Sequence, residues 1–147
     1  MATKEELKVF EEAKRKYFKV NHNPLTPLNF LKRSERVFPH KKAVVYGDKY
    51  WNWQEFAERV YRVAHGMQDM GIGKLDRVAL LARNNNAMLE AMYGINFAGA
   101  VTVPMNYRLA GPEIAYILNH SGSKCIMFEH IYADTIREIQ SELKTVT

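Results

Sequence analysis

Two strand–helix units follow one another between residues 76 and 121. The run Val78–Ala82 is apolar without polar alternation, which is typical of a strand buried on both faces of a parallel sheet. A helical stretch follows at about 86–97, and 100–103 is a second short apolar run. Pro104 ends that run because proline has no amide hydrogen to donate to a sheet. The pattern predicts an α/β fold in which the loops at the strand carboxyl ends face a ligand.

The segments on either side extend this architecture. Thr26 and Pro27 form a helix start, and Leu28, Leu31 and Phe38 are predicted to face the interior. Short apolar runs on both sides of a Gly-Asp turn predict a β-hairpin. We expect a mainly parallel sheet with strands near 43–46, 77–82, 100–103 and 125–129, and an amphipathic helix over 131–143.

The clearest helix begins after residue 52. Asn52 and Glu55 fit a capping box, and Glu55 and Arg59 have the spacing of a helical ion pair. Gly71 is the predicted left-handed end of this helix. One apolar face is predicted to comprise Phe56, Val60, Val63, Met67 and Met70. In the next helix, 86–97, Glu90 is the only charge, a pattern typical of a helix buried on nearly all sides. A lone domain of 147 residues can hardly provide such burial, whereas the rest of a larger protein could.

Charged residues are distributed unevenly along the chain. Residues 1–49 hold 12 Lys/Arg and 6 Asp/Glu, which gives +6, whereas the whole chain carries +5. We therefore separate a basic helical extension, 1–23, from an α/β region, 24–147. The extension fits either a helix on a membrane surface or a solvated helix docked on its own domain or on a partner, and its short apolar face favours docking. The basic segment lacks interleaved aromatic residues and nucleic-acid motifs, so nucleic acid is not an expected partner.

Three further observations bear on location and metal chemistry. The N-terminus is charged, no apolar stretch approaches bilayer length, and Cys125 is the only cysteine, so a cytoplasmic protein is expected. His120, Cys125 and His130 are five residues apart, a spacing wider than that of metal-site pairs. We expect no metal site. The Gly-Ile-Gly-Lys sequence at 71–74 lies between a helix and a strand, the reverse of a phosphate loop, and is predicted to be a turn.

Five sequence motifs follow one another along the chain. They are LTPLNFLKRSERVFP, AVVYGDKYWNWQEF, DRVALLARN, AGAVTVPMNYRL and EIAYILNHSGSK. Together they resemble the first part of the adenylate-forming acyl-CoA synthetases and are most similar to the medium- and long-chain fatty acyl-CoA ligases. The resemblance covers about residues 25–129 and implies the first part of that fold's large N-terminal domain, with 24–147 as a partial AMP-binding domain.

The resemblance implies an activity for a larger parent enzyme. Such enzymes use ATP, Mg²⁺ and CoA to convert a fatty acid into an acyl adenylate and then into acyl-CoA. Their Ser/Thr/Gly-rich phosphate loop has no counterpart in this sequence. We therefore expect an N-terminal fragment that binds none of these cofactors alone, is not catalytically competent and partners the remainder of the synthetase. The alternative is a standalone non-catalytic module that pairs with the rest of a split synthetase or with a membrane. Self-association into a homo-oligomer is also compatible with the apolar helix 86–97.

Five polar residues follow the two central strands. They are Arg83, Asn84, Asn106, Tyr107 and Arg108. An arginine in a loop at this edge can contact a carboxylate or phosphate, so these residues are the candidates for cofactor binding. In the resembling family the 106–108 loop mostly braces the catalytic body, and bracing is the favoured role here. Six methionines, Met67, Met70, Met88, Met92, Met105 and Met127, fit either an adaptable acyl pocket or ordinary core packing, and we favour the core.

Overall fold

A computed structural model describes residues 3–6, 8–9, 11–13 and 25–146. Residues 4–6, 8–9 and 11–13 are helical, which agrees with part of the helix expected in the basic extension. The rest of that helix lies outside the described residues. Within the described ranges, no helix combines the length and the apolar character needed to span a bilayer.

The described region alternates strands and helices. In chain order its elements are α1 (Pro27–Val37), β1 (Lys42–Tyr46), β2 (Lys49–Asn52), α2 (Trp53–Asp69), β3 (Arg77–Leu81), α3 (Asn86–Phe97), β4 (Val101–Pro104), α4 (Gly111–Ser121), β5 (Cys125–Phe128) and α5 (Ala133–Ile139). Short 3-10 turns, His130–Tyr132 and Gln140–Glu142, flank α5. The helix expected over 131–143 is therefore shorter than predicted, because both of its ends tighten into 3-10 turns.

A three-stranded parallel sheet forms the centre of the fold. Its order is β4-β3-β5, and β3 pairs with both neighbours. Val78 faces Ala64, Met67 and Ile95 of the helices on one side of the sheet. Ala79 and Leu81 face Ile114, Leu118 and Ile139 on the other. Burial on both faces explains why β3 reads as a continuous apolar run, and it confirms the three predicted strands of this sheet.

The predicted strand 43–46 does not belong to that sheet. It forms β1, which pairs antiparallel with β2 in a separate two-stranded sheet. Gly47, with a φ of 63°, supports the tight turn that reverses the chain after Tyr46. The prediction of a hairpin is thus confirmed, whereas the inclusion of 43–46 in the parallel sheet was wrong.

Helix α1 begins as the sequence predicts. The Thr26 hydroxyl accepts a hydrogen bond from the Asn29 amide, and Pro27 occupies the first turn. Leu31 is buried against Phe56 and Val60 of α2. Phe38 was expected to be buried, but 40% of it is exposed because the helix ends at Val37 and the chain leaves the apolar stripe.

Helix α2 carries both confirmed and corrected features. The Asn52 side chain and Glu55 form the predicted reciprocal capping box. Gly71 has a φ of 76° and completes the helix end. Met70 was expected on the buried face but is 61% exposed, since it lies at the C-cap beyond the last buried turn. The other predicted core positions of this helix are buried, except that Val63 is half-buried.

Helices α2 and α3 pack closely and share a buried ion pair. Arg59 Nε donates to Glu90 Oε1 at 2.7 Å, and Asn86 Nδ2 donates to the same oxygen at 3.0 Å. The expected Glu55–Arg59 pair is therefore wrong, because Arg59 turns toward α3. Leu89 and Asn96 of α3 are exposed, so the described part of the chain does not cover this helix on all sides, as expected for so short a domain.

Candidate functional site

The carboxyl ends of β3, β4 and β5 meet at one edge of the sheet. Because the three strands are parallel, the residues that follow each strand all project from that edge. Arg83 and Asn84 follow β3, residues 106–108 follow β4, and Glu129 follows β5. The structure thus brings all five sequence candidates to one edge, with Glu129 as an additional member. We call this set of loops the carboxyl edge.

Arg83 and Glu129 form a bidentate link across the carboxyl edge. Arg83 Nη2 donates to Glu129 Oε1 at 2.6 Å, and Arg83 Nε donates to Glu129 Oε2 at 3.2 Å. The backbone amide of Arg83 also donates to Oε2, at 3.2 Å. The hydrogen bonds from Arg83 lower the pKa of Glu129, and in turn the carboxylate raises the pKa of Arg83. The charge of Arg83 is therefore engaged in tying β3 to β5, which favours bracing over ligand binding.

This pairing makes acid stability depend on Glu129. Because its pKa is lowered in the folded protein, its contribution is complete above the ordinary glutamate pKa of about 4.3 and is lost as the pH falls through the lower folded value. We expect Glu129→Gln to be less stable than the natural chain at pH 7, with the difference shrinking toward zero in acid. Urea unfolding at a series of pH values measures this. Glu138→Gln, a change at an exposed position of α5, is the control, and a pH-independent difference for Glu129→Gln would contradict the assignment.

The two asparagines after β3 differ in role. Asn85 Oδ1 accepts a hydrogen bond from the Met88 amide at 2.8 Å and caps α3. The cap bond comes from Asn85, and Asn84 lies exposed beside the hairpin. Its amide group therefore faces solvent at the carboxyl edge.

The loop after β4 is anchored at its start and open at its tip. The Met105 amide donates to the Leu80 carbonyl at 2.9 Å, and the Met105 side chain is buried. Asn106 Oδ1 accepts a hydrogen bond from the Arg108 amide at 3.0 Å, which closes a local turn. The Arg108 guanidinium lies 5.4 Å from the Tyr107 ring centroid and makes no ion pair with any residue in the described ranges. Arg108 is therefore the cation of the carboxyl edge that is available to an anionic group.

An apolar groove of about 340 Å³ adjoins this edge, between β1 and α3. It is lined by Val44, Val45, Tyr46, Met88, Leu89 and Met92, with asparagines 84–86 at its rim. The sequence did not reveal the groove, because β1 and α3 are far apart along the chain. Met88 and Met92 are half-buried in its wall, so part of the methionine set lines a cleft rather than the closed core.

The turn at 71–74 and the potential metal-ligating side chains bear on nucleotide and metal binding. The turn at 71–74 lies between α2 and β3, and its Gly73 amide already donates to Asp76. No cluster of three His, Cys, Asp or Glu side chains able to hold a metal ion occurs in the described part of the chain. Cys125 is half-buried, and burial raises the pKa of its thiol, so the thiolate is disfavoured. No catalytic step is assigned to these residues.

Comparison with known proteins identifies the family. A protein-family model described as AMP-binding enzyme matches residues 31–147. The chain is 36% identical over 123 residues to 4-hydroxybutyrate–CoA ligase 2 of Metallosphaera sedula, covering 84% of this chain and 22% of that protein. It is 39% identical over 109 residues to the peroxisomal acetate/butyrate–CoA ligase AAE7 of Arabidopsis thaliana, covering 74% and 19%.

The structural comparison agrees. The inhibitor-bound N-terminal domain of FACL13 from Mycobacterium tuberculosis superimposes with a TM-score of 0.76 and 34% identity, covering 82% of this chain and 31% of that one. The chain thus spans about a fifth of the length of the curated relatives and about a third of this domain. Its α/β fold with a parallel sheet matches the N-terminal domain of the acyl-adenylate synthetase fold, and the chain belongs to the AMP-binding enzyme family.

Proposed function

We propose that this chain forms the first part of the adenylate-forming domain of an ATP-dependent fatty acyl-CoA synthetase. The observation that carries the proposal is the match of residues 31–147 to the AMP-binding family, together with the shared fold of a mycobacterial ligase domain. In the parent enzyme, ATP, Mg²⁺ and CoA are the reactants and cofactors that accompany the carboxylic acid. Fatty acids are the favoured acids because the resembling motifs at the start of the chain are those of fatty acyl-CoA ligases.

The role we assign to the chain is structural support of the reacting centre. The Arg83–Glu129 link and the Met105 anchor fix the loops of the carboxyl edge relative to the sheet. Arg108, whose guanidinium is not committed to an ion pair in the described region, is the residue best placed to meet an anionic group. Phosphate clamping and the in-line attack require groups that residues 25–146 do not supply, so these belong to other parts of the synthetase.

The isolated chain is expected to make no acyl-CoA. Adenylation depends on positioning the ATP phosphates and neutralising their developing charge, and loss of one electrostatic donor already costs an enzyme about 100-fold or more. Purified chain would be incubated with ATP, Mg²⁺, CoA and fatty acids of several lengths, and pyrophosphate release followed. Turnover above a protein-free blank that disappears in Arg83→Gln or Arg108→Gln would show that this expectation is wrong.

A chimera tests the assigned role directly. We would replace the matching segment of the Metallosphaera 4-hydroxybutyrate–CoA ligase with this chain and assay acyl-CoA formation. We expect a folded chimera to form acyl-CoA, and the same ligase without the segment to form none. A chimera that melts cooperatively but gives no product would contradict the proposal.

A further inference from the structure

Strand β1 has one paired edge and one open edge. Among the described residues it pairs with β2 alone, and the groove between β1 and α3 lies along its other edge. The Tyr46–Lys49 pair closes a two-residue turn, and pairs in an antiparallel ladder alternate between hydrogen-bonded and non-hydrogen-bonded ones. The backbone amide and carbonyl of Val45 therefore point away from β2, to the side on which a further strand can bind.

The side chains around this open edge are apolar and accessible. Val45 is 65% exposed, Tyr46 is 50% exposed, and Leu89, on the α3 side of the groove, is 36% exposed. Met88 and Met92 complete that wall, and the flexible methionine side chain adapts readily to a new neighbour. An open strand edge that carries apolar side chains is a template for pairing with another strand. The edge thus offers both backbone hydrogen bonds and an apolar contact.

The charges of the hairpin match those of a second hairpin. Antiparallel pairing of two β1 strands about Val45 places the start of each strand beside the turn that follows the other. Lys42, at the start of β1, thereby approaches Asp48 in the turn of the second copy. Residues 42–50 hold two Lys/Arg and one Asp/Glu, a net charge of only +1, so two hairpins repel each other weakly. The β1 edge is therefore complementary to itself in charge as well as in shape.

We propose that the open edge of β1 binds a second copy of this chain. The two β1 strands pair antiparallel about a two-fold axis at Val45, and both hairpins join into one four-stranded sheet beside the two α3 helices. Every contact of such an interface occurs twice, including the contact of Lys42 with Asp48. A strand from elsewhere in the synthetase would use the same backbone groups, whereas this charge match is a property of β1 paired with itself. The inference goes beyond the proposed function and does not depend on it.

Sedimentation velocity of the 147-residue chain over a range of concentrations tests the proposal. We expect a reversible equilibrium between monomer and dimer. Val45→Lys should raise the dimer dissociation constant about tenfold or more, because it sets two like charges opposite each other at the centre of the interface. The matched control is Val101→Lys, at a 42% exposed valine on the edge strand β4 of the other sheet, and it should change the constant by about twofold or less.

Exchange of the two charges tests the antiparallel register. Lys42→Asp and Asp48→Lys should each raise the dissociation constant about fivefold, since each sets like charges opposite one another twice. The combined variant should return to within about twofold of the natural chain. Circular dichroism melting should remain cooperative in all variants.

Two results would overturn the proposal. One is a natural chain that remains monomeric at every concentration, which would leave the β1 edge to a different strand. The other is an equal effect of Val45→Lys and Val101→Lys on the dissociation constant, which would show that the dimer does not form through β1.

Discussion

Arg59→Leu is expected to lower the free energy of unfolding by about 3 kcal/mol, because it leaves the Glu90 carboxylate buried without its cationic partner. Only 7% of the Glu90 side chain is exposed, whereas 38% of the Arg59 side chain reaches solvent. After the change, Asn86 remains the one hydrogen-bond donor to Glu90 within the described residues. A single neutral amide does not compensate a buried charge, so the folded state bears the cost.

The reverse change should be milder. Glu90→Gln removes the buried charge itself, and the Arg59 guanidinium remains partly solvated and lies 5.6 Å from the Trp51 ring centroid. We expect a loss of about 1 kcal/mol, the size of an ordinary hydrogen-bond change. Arg62→Leu, at an exposed position on the same helix, is the control and should stay within about 0.5 kcal/mol.

Urea unfolding of the three variants measures these differences. The order of the losses is the decisive observation, since it follows from which partner is buried. Equal losses for Arg59→Leu and Glu90→Gln would contradict the expectation that an unpaired Glu90 carboxylate costs more than an unpaired Arg59 guanidinium.

The local parts of the fold were readable from the sequence. The Thr26 cap and the Asn52–Glu55 capping box depend on residues three positions apart, so their signals lie within one helical turn. Strand β3 was recognisable because burial on both faces leaves an uninterrupted apolar run. The candidate positions at the carboxyl edge followed from the same rule, since residues after parallel strands share one edge.

The predictions that were wrong or missing concern contacts between segments that are distant in the sequence. Arg59 and Glu90 are 31 residues apart, and Arg83 and Glu129 are 46 apart. Helical spacing predicted Glu55 as the partner of Arg59. In the structure α2 packs on α3, and Arg59 pairs with the buried carboxylate of Glu90 instead. The hairpin strand β1 was assigned to the wrong sheet for a similar reason, because apolar composition does not state which edge a strand joins.

The sequence alone also does not distinguish Gly94 from Gly66, because the difference depends on contacts with a neighbouring helix. We expect alanine at these two positions to have opposite effects. Both glycines lie inside helices, where alanine is intrinsically favoured by about 1 kcal/mol. A Cβ at Gly66 would meet nothing within 4 Å. At Gly94 it would lie 2.5 Å from Val63 Cγ1, 2.6 Å from Val63 Cβ and 3.1 Å from the Val60 carbonyl oxygen.

The closeness of α2 and α3 decides the sign at Gly94. Two of the three contacts are with atoms that a side-chain rotation does not move, namely Val63 Cβ and the Val60 carbonyl oxygen, so the helices must shift apart. Overpacking of this kind costs up to about 3 kcal/mol, which exceeds the helix-propensity gain. We expect Gly94→Ala to lose about 2 kcal/mol of unfolding free energy and Gly66→Ala to gain about 1 kcal/mol, both measured by urea unfolding. A stabilised Gly94→Ala variant would show that α2 and α3 are not in close contact at this crossing.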